Sequence, residues 1–131
     1  MDVNMDWRPK GLEDWSPKLT LTKRGKYFCV EAVRWGKDLE HSNVYVYIYA
    51  GHQLFMRCEQ STWGCPFEMH GISLYKLHRG DNGAITSHQY GNDYDHLWHE
   101  ERNMDGNDKW QSAMHEAREI FEKLSALEAI Q

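Results

Sequence analysis

The sequence predicts an α+β fold: an antiparallel sheet of about four or five strands packed by a C-terminal amphipathic helix. Three observations lead there. Residues Asn43 to Ala50 alternate strictly, with Val44, Val46, Ile48 and Ala50 on one side and Tyr45, Tyr47 and Tyr49 on the other, which is the two-residue period of a strand. Trp110, Ala113, Met114, Ala117, Ile120, Phe121, Leu124 and Leu127 recur at helical spacing, with charges on the opposite side. Between the N-terminal region and that helix lie further short runs rich in β-formers, separated by glycine-containing turns.

Taken in order, Met1 to Pro17 is polar and contains Pro9, Gly11 and Pro17, so it reads as an irregular arm that Trp7, Leu12 and Trp15 can pin to the domain. Leu19 to Thr22 is a short strand, Lys23-Arg24-Gly25 a turn, and Tyr27 to Trp35 a second strand, together a hairpin. The aliphatic side of Asn43–Ala50 should meet the helix, leaving the tyrosine side to support a second layer or to form an aromatic floor. Gly51 to Pro66 reads as a loop, Phe67 to Leu77 as a strand, Arg79 to Gly83 as a turn and Ala84 to Tyr90 as the last strand, ended by Gly91. Gly91 to Asn107 is irregular and rich in Asp, Glu and His, and Asn107 or Asp108 can cap the final helix. No linker or repeat interrupts the pattern, so residues 1–131 read as one α+β domain with an arm over 1–17.

Composition narrows the function classes. Hydrophobic residues make up 40% and aromatics 13%, which places the chain outside the disordered class. Six Trp and seven Tyr exceed what a core of this size holds, so some should face a ligand, a partner or a second copy of the chain. A formal net charge of -5 argues against a nucleic-acid backbone as the main partner, because phosphate binding requires an excess of Lys and Arg. Three cysteines with no C-x-x-C spacing support neither a zinc ribbon nor a disulfide framework; reduced thiols in a cytoplasmic protein are the expectation. The N-terminus lacks the pattern of a signal peptide, and no apolar run approaches the ~20 residues that span a bilayer, so no membrane partner is expected.

Six of the eight histidines, His52, His70, His78, His88, His96 and His99, fall in one stretch with Asp93, Asp95, Glu100 and Glu101. Imidazole with carboxylate is the raw material of acid–base catalysis and of metal sites. His52 follows Gly51 at the end of the tyrosine-bearing strand, His70 precedes Gly71, and Asp93 and His96 follow Gly91. Three strands could thus deliver His52, His70, Asp93 and His96 to one area beside Tyr47, on backbone rigid enough for a preorganised site. For any one histidine, an ordinary surface or hydrogen-bonded role competes with this reading, and His70 could simply pair with Asp93 as a core contact.

The segments Val44 to His52, Met69-His-Gly-Ile-Ser-Leu-Tyr75 and Tyr90-Gly-Asn-Asp-Tyr-Asp-His96 together resemble three successive blocks of a family of small uncharacterised bacteriophage and mobile-element proteins. In that family a strand ends in Gly-His, a second block reads His-Gly-Gly-Leu-Thr-Tyr, a third reads Gly-Phe-Asp-x-x-His, and a helix follows. Gly51 and His52 match the first block, His70, Gly71, Leu74 and Tyr75 the second, and Gly91, Asp93 and His96 the third. Gln53, Ile72, Ser73 and Asn92 depart from it. The resemblance covers roughly Val44 to the C-terminus and implies an origin and a shortlist of polar positions, with no activity attached.

Three functions compete on this basis. The first is an accessory protein binding a small, nucleotide-derived ligand through His52, His70, Asp93, His96 and Tyr47, with Tyr45 and Tyr49 adding stacking faces. The second is a metal-dependent hydrolase in which His52, His70, Asp93 and His96 hold the ion; the residues name no particular cofactor. If catalysis occurs, His70 or His96 is the candidate base and Asp93 its orienting carboxylate. The third is a protein-interaction module or inhibitor of a host protein, using the acidic stretch from Asp93 to Asp108 with Trp98 and Trp110.

Overall fold

The computed structural model describes residues 19–58, 65–67, 69, 72–94 and 104–130. Among the described residues, five strands form one antiparallel sheet: β1 (Leu19–Arg24), β2 (Phe28–Trp35), β3 (His41–Tyr49), β4 (Leu74–Arg79) and β5 (Ile85–Asp93), followed by the helix α1 (Gly106–Ile130). The spatial order is β1-β2-β3-β5-β4, so β5 enters between β3 and β4. The registers Leu21↔Ala32, Val30↔Val46, Val46↔Tyr90 and Tyr75↔Tyr90 align one set of alternating side chains across the sheet. The α+β class, the antiparallel sheet and the closing helix all match the sequence expectation.

Helix α1 packs on the aliphatic face. Phe28, Val30 and Ala32 of β2 and Val44, Val46 and Ile48 of β3 join Trp110, Ala113, Ala117, Ile120 and Leu124 in the main core. Ala113 and Ala117 keep the helix close to the sheet, and burying a side chain such as Ile48 or Leu124 contributes roughly 1.5–3 kcal/mol. The β4/β5 part of this face is covered by Leu54, Phe55 and Cys58, around a 3-10 turn at Phe55–Arg57, together with Phe67 and Met69. Tyr75, His88 and Tyr90 lie beneath that cover.

Several boundaries differ from the sequence reading. β4 starts at Leu74 rather than Phe67, because Phe67 turns edge-on to Tyr90, with ring centroids 5.7 Å apart, and plugs the core instead of alternating along a strand. β5 does not end at Gly91 but continues to Asp93. Gly91 serves a close approach: a Cβ there would sit 2.9 Å from Tyr45 Cδ1 and 3.1 Å from Leu74 Cβ, so only glycine lets the Tyr45 ring lie across β5. β3 begins two residues before the expected Asn43 and ends at Tyr49, leaving Ala50 exposed.

The helix cap also moves. Asp105 Oδ1 accepts from Asp108 N–H at 2.8 Å, and Asp108 Oδ2 accepts from Asp105 N–H at 3.2 Å, a reciprocal capping box that starts the helix at Gly106. Asp105 is therefore the cap, not Asn107 or Asp108. The charged side of the helix has one inward exception. Glu116 is buried under the sheet end, where Tyr94 Oη donates to its Oε1 at 2.7 Å and Asn92 Nδ2 donates at 3.0 Å. At the other end of α1, Glu128 accepts the backbone N–H groups of Lys26 and Tyr27 at 3.0 Å and 2.6 Å, tying the β1–β2 turn to the helix.

Candidate functional site

Because side chains alternate, the same registers that bury the aliphatic face set a second row of residues on the face away from α1. Strand by strand these are Thr20, Thr22 and Arg24; Cys29, Glu31, Val33 and Trp35; His41, Asn43, Tyr45, Tyr47 and Tyr49; Ser87, Gln89, Gly91 and Asp93; and Leu74, Lys76 and His78. Among the described residues no helix lies over this face, yet its centre is closed: Tyr47 is 3% exposed, Glu31 1% and Gln89 0%. Trp35, Tyr49, Lys76 and His78 around it are half-buried. Cys29, Val33, Tyr45 and Tyr47 form a second, smaller buried hydrophobic cluster on this face, with Trp35, Tyr49 and Leu74 packed against it and polar groups interrupting it.

Those polar groups are organised. Thr22 Oγ1 donates to Glu31 Oε2 at 3.2 Å, between directly paired residues. His78 Nε2 lies 2.7 Å from Gln89 Oε1 and, facing a carbonyl oxygen, carries the proton there; this holds the amide in one orientation. Trp35 Nε1 donates to Asn43 Oδ1 at 2.6 Å, and its ring stacks on His41 at 4.2 Å. Among the described residues, Tyr47 Oη and Gln89 Nε2 are buried and find no hydrogen-bond partner. The two belong to residues directly opposite each other on β3 and β5. Burial first, and the Glu31 carboxylate second, push the Tyr47 hydroxyl far above the usual phenol range, so it stays protonated and can donate. Burial likewise pushes the Cys29 thiol up to about 11, which leaves little thiolate near neutrality.

The residues singled out from sequence are divided by this geometry. His52 lies on the helix side, edge-on to Phe28 at 5.5 Å. Its Nδ1 accepts from Leu54 N–H at 3.1 Å, which places its proton on Nε2, 3.4 Å from Leu124 O. Nδ1 thus fixes the turn after β3 and Nε2 ties it to α1, and His52 does not face Tyr47. Asp93 shares the face of Tyr47 but stands opposite Asn43, four residues along β3 and so roughly 14 Å from the Tyr47 row. Asp93 N–H donates to Ser73 Oγ at 3.2 Å. His70 and His96, the candidate bases and shared candidate ligands, lie outside the described residues, as do Gly71, Asp95, His99, Glu100, Glu101 and Trp98 and the arm over 1–17. Of the described candidates, then, no two of His52, Tyr47 and Asp93 meet at one spot. The acidic stretch is divided too, since Trp110 belongs to the main core.

Sequence reasoning missed Gln89 and Glu31, and named His78 within the histidine-rich stretch without assigning it to a site. The signal for Glu31 was legible: one carboxylate among Phe28-Cys-Val-Glu-Ala-Val33 sits in a run apolar enough to be buried on both faces. Gln89 carried no comparable signal, because its importance comes from the strand it pairs with. No family model, curated relative or solved structure matches the chain.

Proposed function

We propose that this chain is a small accessory binding protein that holds a flat ligand on the sheet face away from α1. The observation that carries the reading is the pair Tyr47 Oη and Gln89 Nε2, two buried groups facing no acceptor among the described residues. A buried polar group left unsatisfied costs about 1–3 kcal/mol, a penalty that a bound acceptor would remove. Tyr49, half-buried at the rim, adds aromatic surface, and stacking of a base on such a ring contributes about 1–3 kcal/mol. The half-buried rim of Trp35, Tyr49, Lys76 and His78 gives the side from which the face would open. The resemblance of the Gly51-His52, His70-Gly71 and Gly91-x-Asp93-x-x-His96 blocks to phage and mobile-element proteins supports an accessory role in such an element.

Binding suits this face better than chemistry does: the histidine beside its centre, His78, orients an amide and its thiol, Cys29, is held protonated. Calorimetry of the intact chain against nucleosides, nucleotides and cyclic dinucleotides tests the proposal. At least one member should bind, and Tyr47→Phe should weaken that binding about tenfold, the worth of one well-made hydrogen bond. Absence of binding across the panel would sink the reading, as would a Tyr47→Phe variant that binds as the parent does.

A further inference from the structure

Resting on the binding reading above, we infer that this face selects a heterocycle whose edge carries two adjacent acceptors, as a 6-oxopurine does, and that His78 sets the preference by fixing the Gln89 amide. Tyr47 and Gln89 are direct cross-strand partners, so their side chains leave the sheet about 5 Å apart at Cβ and can share one edge of a single flat molecule. Both residues are buried, and Tyr47 Oη and Gln89 Nε2 have no hydrogen-bond partner among the described residues. What these two groups are still able to donate or accept therefore defines the ligand edge that satisfies them.

An amide is ambivalent: turned one way it presents N–H donors, turned the other it presents a carbonyl acceptor. His78 removes that freedom. It pairs with Ser87, which makes it a diagonal neighbour of Gln89 across β4 and β5, and its Nε2 lies 2.7 Å from Gln89 Oε1. Its ring also stands 6.1 Å from the Tyr47 ring, so Tyr47, Gln89 and His78 form one contiguous group. With the carbonyl taken by the imidazole N–H, the amide has only N–H groups to offer a ligand. The Tyr47 hydroxyl is able to accept as well as donate, but accepting would leave its own proton unpaired in a buried place. Both groups are satisfied together only by acceptors. A 6-oxopurine presents O6 and N7 side by side, whereas adenine presents N7 beside an amino donor. Adenine laid on the same edge would set that amino group against one of the two donors.

Calorimetry of the intact chain with inosine and adenosine tests this, because the two nucleosides share sugar and charge and differ in the oxo or amino group of the purine. Inosine should bind roughly tenfold or more tightly than adenosine, and 7-deazainosine should lose about tenfold relative to inosine. His78→Phe keeps a ring beside Tyr47 but no N–H, which frees the amide to turn; adenosine should then come within about threefold of inosine. Adenosine that binds the parent as well as inosine does overturns the inference and leaves the binding reading standing. A His78→Phe variant that keeps the full preference overturns it as well. Should that variant not fold, imidazole nitrogen NMR of the parent decides. A proton on His78 Nε2 is expected; a bare Nε2 would mean that the amide donates to His78 and turns its carbonyl to the ligand, which also overturns the inference. If neither nucleoside binds while another member of the wider panel does, the base class is wrong. If nothing binds, the binding reading itself fails.

Discussion

Replacing Tyr47 by Phe should make the unliganded protein more stable. The ring of Tyr47 is enclosed, and its hydroxyl is a buried group with no hydrogen-bond partner among the described residues. In the unfolded chain the same hydroxyl is satisfied by water, so folding carries an uncompensated desolvation cost of about 1–3 kcal/mol. The phenyl ring of the variant would keep the packing against Cys29, Val33 and Tyr45 and lose one heavy atom, so the void term is small. We expect a net gain of about 1 kcal/mol, seen as a Tm higher by roughly 4 °C and a urea midpoint higher by roughly 0.5 M at unchanged slope. The pH dependence has a definite sign. Tyr47 ionises in the unfolded chain near its ordinary pKa of 10.0 but stays protonated in the folded one, so its contribution to stability is fully present below pH 10 and is lost as the pH rises further. Above that pH the variant should therefore lose stability more slowly than the parent. Urea unfolding followed by Trp fluorescence reads all of this. A destabilisation of 1 kcal/mol or more would show that the hydroxyl has a partner and would refute the reasoning behind the binding face. A stabilised variant that also binds more weakly would mark the trade between stability and function expected where a polar group is kept for a ligand.

Three other outcomes follow from the same structure. Gly91→Ala should destabilise by about 1–3 kcal/mol in chemical denaturation, since its methyl group would press on the Tyr45 ring and the Leu74 side chain, both held by neighbouring strands. Asp105→Ala should cost about 1 kcal/mol and reduce helical circular dichroism on mild heating, whereas Asn107→Ala should be nearly neutral, because the cap is Asp105. Burial holds the His88 imidazole below its ordinary pKa of 6.5, with Tyr75 Oη 2.7 Å from Nδ1 and the Phe55 ring edge-on, so it stays neutral when the unfolded chain protonates. Stability should therefore be full above pH 6.5 and fall as the pH drops below it, and His88→Gln should flatten that acid limb in a pH series of urea midpoints.

How much of this was legible in the sequence depends on how local each cause is. The strict alternation of Val44 to Tyr49 and the stripe from Trp110 to Leu127 are fixed by residues within one turn or one pleat of each other, so strand β3, helix α1 and the face where they meet could be read directly. Gly91 could not, because its role is set by Tyr45 from another strand: it reads as a strand end, yet it is the point where a ring crosses β5. Glu116 likewise reads as part of the charged side of α1, and only the approach of Tyr94 and Asn92 turns it inward.

Fold class, the composition of the helix stripe and the existence of a tyrosine-bearing strand face each follow from a period in the chain. Tertiary structure alone decided which polar groups share that face. The order β1-β2-β3-β5-β4 sets β5, not β4, beside β3; that adjacency puts Gln89 across from Tyr47 and Asp93 toward the far end of the strand, while contacts with Leu54 and Leu124 hold His52 on the opposite face. Pairing between strands separated by dozens of residues is a property of the closed chain, and no local pattern encodes it.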